Sequence, residues 1–196
     1  MAVKPVSSRQ RDPLLAFRDE FPILEKTNSL VSNSLGPMPR TVPEKLAEYA
    51  RDWGELGVKA WARGWWEKPV DVGNEIAPLI NAGDGEVVMM PNVTIAQTAV
   101  LSSIDFPEGR DTVVMTELDF PSVRYAYAEM AERFGARVVV VRSDDGLTID
   151  QDKLLAAIDE RTRVVAVSHV LFRSAFLMDV DPICRRAHEM LSLIHI

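Results

Sequence analysis

A single cysteine, Cys184, is the only thiol in this 196-residue chain. A disulfide framework and a multi-cysteine metal centre are thereby excluded, and an isolated thiol without a motif partner reads as a small apolar filler. Histidine is nearly as scarce, with three residues, and no metal-ligand spacing joins them to other ligands. Lysine and arginine number 22 against 29 acidic residues, a formal charge of −7. The basic face that nucleic-acid binding requires is missing. No apolar run approaches the roughly 20 residues of a membrane-spanning helix. The first residues, MAVKPVSSRQRDP, lack the apolar segment of an export signal, so a cytoplasmic location with no membrane partner is expected. Asn92-Val93-Thr94 matches a glycosylation sequon, which has no bearing without export. Also absent are a glycine-rich dinucleotide loop, a Walker loop and a G-x-S-x-G elbow.

What is present supports a packed α/β protein. Apolar residues make up 47% and charged residues 26% of the chain, enough to build a core. The length fits one large domain, or a domain with part of another. Residues 13–24 read as a short amphipathic helix ending near Pro22, and 29–32 as a brief strand. Val42, Leu46, Tyr49, Ala50 and Trp53 recur at helical spacing. GVKAWARGWWEKP, with its glycines and three tryptophans, reads as an ordered bent segment, and 70–81 as a helix closed by Ala82-Gly83-Asp84-Gly85. Thereafter the apolar runs at 86–90, 111–115, 136–141 and 163–168 predict buried strands. They alternate with helices at 94–104, 121–134 and 150–160 and a last helix from about Asp181. Buried strands alternating with helices predict a mostly parallel sheet with helices on both faces.

Ligands of open α/β sheets gather at the carboxyl ends of strands and at helix amino termini. Four stretches meet that rule. In MPNVTIAQ (90–97), Thr94 and Gln97 have capping-box spacing, and the helix start offers a phosphate cradle or simply an ordinary cap. In TELDFPSVRYA (116–126), Phe120 is placed either to cover a flat ring or to fill the core, and Ser122 either to donate to a ligand or to cap a helix. In VSHVLFRSAF (167–176), Ser168 and His169 end the most apolar strand. His169 fits a satisfied core residue, whereas Arg173 fits an anion site or a plain surface position. Trp61, Trp65 and Trp66 fit packing or the wall of an aromatic pocket. A fifth stretch, SNSLGPMPR (32–40), reads as a strand-to-helix turn or a polar patch facing a small molecule. A phosphate cradle, a ring-covering aromatic and polar groups at strand ends together suggest a phosphorylated planar cofactor.

NSLG (33–36), NVT (92–94), ELDFPS (117–122) and SHV (168–170), in that order, resemble kynureninase and its relatives. These form the class V aminotransferase group of pyridoxal-phosphate enzymes, and the similarity spans about Phe21 to Met190. The resemblance implies the large domain of the aspartate-aminotransferase-like fold, with an N-terminal arm at 1–60, a partial cofactor-binding domain at 61–190 and a non-native tail at 191–196. It implies that Val93 and Thr94 bind the cofactor phosphate and that Phe120 stacks on the pyridine ring. Pro121 and Ser122 would complete the cradle, and Ser168 would contact the cofactor. Arg173 would stand near a position where the relatives hold the phosphate with a tyrosine. Ser34 would face a small amino-acid substrate, and Trp61, as a pocket-wall aromatic in its own right, is expected to face it too.

Two differences bear on the reaction. The relatives carry an acid after FPS where this chain has Val123, and a substrate-contacting histidine in the region of GVKAWARGWW. Kynureninase-like chemistry, a cysteine-desulfurase-like lyase and a non-catalytic scaffold all stay open, with Phe120 favouring the first over the second, which usually has histidine there. The resemblance also implies a homodimer when full length. It further implies an aspartate and a Schiff-base lysine beyond Met190, whereas Lys153 is the last lysine here. The chain is thus expected to be an N-terminal fragment, silent alone.

Overall fold

A computed structural model describes residues 12–195, which form two compact units dividing after Val88. Residues 1–11 of the expected arm, with Lys4, and Ile196 of the expected tail lie outside the described residues.

The second unit is built on four parallel strands, β1 (Thr112–Thr116), β2 (Arg137–Val141), β3 (Thr162–Ala166) and β4 (Leu193–His195), in the order β2-β1-β3-β4. All five residues of β1 are buried, because helices cover both faces. Strand side chains alternate between faces. Val114 and Val165 accordingly join Leu154, Ile158 and Ile183, from α5 (Gln151–Ala156), the segment after it and α6 (Val180–Glu189). Val113, Met115, Val164 and Ala166 join Leu101 and Tyr127, from α3 (Val93–Ser102) and α4 (Pro121–Arg133). The chain is therefore an α/β protein with a parallel sheet and helices on both faces. The sequence reading placed no strand in LSLIHI, yet Leu193–His195 pairs with Val164–Ala166. Arg110 helps fix that edge: its Nη2 donates to the carbonyls of Met190 (3.1 Å), Leu191 (2.7 Å) and Thr162 (3.3 Å).

The expected strand at 86–90 does not form. The run has the right composition but no ladder partner, and its backbone crosses the division between the two units with Val88, Met89 and Met90 exposed. A buried strand needs both a neighbour and a cover.

The first unit is helical, with α1 (Val42–Leu56) and α2 (Lys68–Ile76) joined and flanked by 3-10 turns at 13–20, 22–25, 57–63 and 77–80. Instead of one helix over 13–24 there are two 3-10 segments. Phe21, before Pro22, takes an extended conformation (φ −119°, ψ 90°), as the clash with a following proline ring dictates. Residues 29–32 are not a strand; the chain turns at 32–34, with Ser34 N–H donating to the Val31 carbonyl at 3.1 Å. Arg40 anchors the end of SNSLGPMPR, donating to the Asp19 carbonyl at 2.5 Å and pairing with Glu25. The bent tryptophan segment is ordered by ring contacts: Tyr49 of α1 stacks on Trp65 at 4.7 Å, and Trp61 meets Trp65 edge-on at 5.6 Å.

Two titrating groups give direct checks on the sheet unit. Tyr127 is 1% exposed, and burial, reinforced by the negative charge of Asp119, pushes its phenol up to about 12. An unfolded tyrosine ionises near pH 10. Tyr127 therefore contributes stability that is whole below about pH 10 and lost as pH rises through its folded value. A spectrophotometric alkaline titration should leave one of the three tyrosines un-ionised until close to pH 12. A midpoint near pH 10 for Tyr127 would show it to be open to solvent.

Asp145, in the loop between β2 and α5, accepts from the N–H groups of Thr148 (2.7 Å) and Leu147 (2.8 Å) and from the Thr148 hydroxyl (2.8 Å). These bonds, the Thr148 N–H foremost, hold its carboxyl well below the usual carboxylate range. A lowered folded value gives stability that is present above the unfolded range near pH 4 and lost only as pH falls well below it. An NMR acid titration of the Asp145 carboxyl carbon should show it still ionised at about pH 3, where a midpoint near 4 would contradict the loop geometry.

Candidate functional site

The carboxyl ends of β1 and β3 lie side by side because the two strands are parallel neighbours. After β1 the chain turns through Glu117, Leu118 and Asp119 before Pro121 opens α4. Asp119 is 2% exposed. Its Oδ2 accepts from the Thr116 N–H (2.8 Å) and the Thr116 hydroxyl (2.7 Å), and its Oδ1 accepts from the Ser168 N–H (2.8 Å). One buried carboxylate thus ties the end of β1 to the residue that leaves β3. Three donors on two oxygens offset the cost of taking a carboxylate out of water.

This tie fixes where Phe120 stands. The residue takes the N-cap position of α4 with φ −59° and ψ 137°, the extended geometry required before proline, and Pro121 occupies the first turn. The Phe120 ring is 47% exposed at this rim and is not a core side chain. It meets Phe172 edge-on, with centroids 4.9 Å apart and planes at 73°. Ser122, half-buried, lies inside the first turn of α4 and is not its cap. Ser168 is half-buried two residues after the end of β3, with its N–H held by Asp119. His169 and Arg173 are exposed in the hairpin that follows, so His169 is not a core residue.

The amino terminus of α3 differs from the expected capping box. Asn92 is the N-cap, its Oδ1 accepting from the Ile95 N–H at 3.0 Å. Val93 and Thr94 therefore occupy the first two helical positions, where N–H groups have no partner within the helix. The Thr94 carbonyl accepts from the Thr98 hydroxyl at 2.8 Å. Gln97 does not reach back to cap; it is 1% exposed and neither amide atom has a hydrogen-bond partner. An asparagine with extended backbone (φ −166°) two residues earlier displaces the box, because its short side chain reaches the third N–H directly. Helix α3 packs on α4, and both contribute to the same face of the sheet.

Phe120, Pro121, Ser122, Ser168 and Arg173 thus follow the adjoining carboxyl ends of β1 and β3, and Val93 and Thr94 open a helix of the same unit. Ser34 and Trp61 belong to the other unit. Ser34 is exposed in its turn, and Trp61 is exposed beside Trp66, with ring centroids 4.7 Å apart. In that unit Leu35, Gly36, Pro37, Met38 and Pro39 line an apolar groove with Pro22 and Ile23, about 580 Å³ in volume. Sequence reasoning missed Asp119 and Phe172. The signal for Asp119 was its place between a strand end and the Phe-Pro step; Phe172 gave none, since its partner lies 52 positions away. Among the described residues no cluster of three or more His, Cys, Asp or Glu is placed to hold a metal ion, and no helix is long and apolar enough to cross a membrane.

The aminotransferase class-V family matches residues 32–196. A kynureninase of Geobacillus thermodenitrificans (strain NG80-2) is 31% identical over 188 residues, covering 92% of this chain and 44% of the relative. A solved variant of C-DES with glycine covalently linked to its PLP cofactor has a TM-score of 0.76 at 19% identity, covering 90% of this chain and 47% of that one. The apo cysteine desulfurase of Thermococcus onnurineus NA1 has a TM-score of 0.72 at 18% identity, covering 95% and 47%. The two structures share the fold of this chain. The chain spans less than half the length of the curated relatives it matches.

Proposed function

This chain belongs to the aminotransferase class-V family, and from that membership we propose that it supplies the cofactor-facing rim of a pyridoxal-phosphate enzyme acting on an amino acid. The observation that carries the reading is Phe120, an apolar ring left half exposed at a rim whose backbone is otherwise held by a buried carboxylate. A flat aromatic cofactor would complete the burial of that ring.

The residues present fit such a group. Phe120 would lie against the pyridine face. The first-turn N–H groups of Val93 and Thr94, with the Thr94 hydroxyl, form an anion cradle of the kind helix amino termini provide. Pro121 and Ser122 would close the cradle from α4, and Ser168 from the segment after β3. Arg173 would add the two-pronged positive contact that a phosphate dianion favours in a chain of net charge −7. When bound, pyridoxal phosphate supplies the electron sink for chemistry at an amino-acid α-carbon. This chain's residues bind the cofactor, orient it and exclude water from one of its faces. Ser34 and Trp61 would face the substrate. In the whole protein we place the enzyme in the cytoplasm as a homodimer, and kynureninase-like chemistry is favoured by Phe120. A cysteine-desulfurase-like lyase is the alternative, which release of sulfur from cysteine would identify.

Arg173→Ala should weaken binding of pyridoxal phosphate about tenfold or more, as expected for loss of a charge-assisted contact. Binding of pyridoxal, which lacks the phosphate, should be unaffected. Equal loss for both ligands, or for neither, would remove Arg173 from the phosphate site.

A further inference from the structure

We propose that Phe172 is a positioning residue that sets the plane of the Phe120 ring, so that the hairpin after β3 controls how the cofactor ring is held. The inference rests on the pyridoxal-phosphate reading of the rim and goes beyond it, because Phe172 itself need not touch the cofactor.

The hairpin is built as a rigid support. The Met178 N–H donates to the His169 carbonyl at 2.8 Å, the Leu171 N–H to the Phe176 carbonyl at 3.0 Å, and the Ala175 N–H to the Leu171 carbonyl at 2.9 Å. Leu171 and Met178 are buried in the cluster formed with α5 and α6, and Phe176 packs against it. Phe172 therefore follows directly on an anchored residue. Between Leu171 and Phe176 the chain closes its turn through Ala175 at φ 56°, a left-handed conformation that residues with a Cβ seldom adopt. The turn is held in that shape by the backbone bonds that Leu171 makes with Ala175 and Phe176.

Phe172 is 39% exposed although its neighbour on the chain is buried, and its ring is spent on an edge-on contact with Phe120. Edge-to-face pairs have a preferred angle as well as a distance, since the positive edge of one ring seeks the negative face of the other. The Phe120 ring is thus placed by its backbone and oriented by its neighbour. Pro121 and Asp119 fix its backbone, and Phe172 fixes its ring. A pre-set ring loses less freedom when a ligand stacks on it.

Equilibrium binding of pyridoxal phosphate to the wild-type protein, Phe172→Ala, Phe172→Leu, Phe172→Tyr, Phe120→Ala and the Phe120→Ala/Phe172→Ala double variant tests the proposal. The absorbance maximum of the bound cofactor and the thermal midpoint of each cofactor-free protein are recorded alongside. Phe172→Ala and Phe172→Leu should each raise the dissociation constant roughly three- to tenfold, the range for an aromatic pair. Both should shift the absorbance maximum, and Phe172→Tyr should restore both readings. In the Phe120→Ala background the loss of Phe172 should change nothing further. If Phe120→Ala weakens binding while Phe172→Ala and Phe172→Leu do not, the positioning role is wrong and the cofactor site stands. Additive effects in the double variant, or losses that simply track the cofactor-free thermal midpoint, also overturn it. If Phe120→Ala itself leaves binding unchanged, the reading of the rim fails and the proposal falls with it.

Discussion

Gly73→Ala should disrupt the helical unit by about 3 kcal/mol or more. Helix propensity alone points the other way, since alanine is favoured over glycine inside a helix by about 1 kcal/mol. Sterics decide against it. A Cβ at this position in α2 would lie 2.0 Å from the Val87 carbonyl oxygen and 2.6 Å from its carbon. Both are backbone atoms, so no side chain can rotate away. The helix and the 83–88 segment would have to separate, and the bond from the Gly85 N–H to Asn74 Oδ1 (2.7 Å) joins the same two pieces. All four tryptophans, Trp53, Trp61, Trp65 and Trp66, belong to this unit. Urea unfolding followed by tryptophan emission therefore reports on it directly. A midpoint equal to that of the wild type would show that the close approach is not real.

Asp119→Ala should destabilise the sheet unit by roughly 3 kcal/mol, because the buried N–H of Thr116 and the part-buried N–H of Ser168 lose their acceptor together. Asp119→Asn should cost less, since the amide oxygen can still serve one of them. Hydrogen exchange gives the sharper reading. The amides of Thr116 and Ser168 should lose protection in Asp119→Ala well before those in the middle of β1 and β3. Unchanged protection at both would mean that the carboxylate does not tie the strand ends.

The parts of the fold legible in sequence are those in which one signal fixes the outcome. Strands β1, β2 and β3 fall within two residues of the apolar runs that announce them, and at β1 and β3 burial on both faces makes a continuous apolar stretch necessary. The same signal fails at 86–90, where Val88 and Met89 are as apolar as any strand residue but have no neighbour to pair with. Helix α4 is announced by its Phe-Pro-Ser start, whereas residues 13–24 lose their helix to Pro22 acting on Phe21. Within the candidate site, Phe120 and Ser168 are legible from their places at strand ends. For Asp119 the sequence offers only its place before the Phe-Pro step, and its role appears when Ser168, 49 positions later, is brought within 2.8 Å. The displaced cap at Asn92 is a subtler case. Two residues in the same stretch can serve, and only the backbone angle of Asn92 decides between them.

The central claim, that this rim holds pyridoxal phosphate, is tested most directly by a crystal structure of the protein grown with that cofactor. The ring should lie against Phe120, and the phosphate should lie within hydrogen-bond distance of the first turn of α3 at Val93 and Thr94. Cofactor bound in an ordered way elsewhere on the protein, with Phe120 still facing solvent, would contradict the claim.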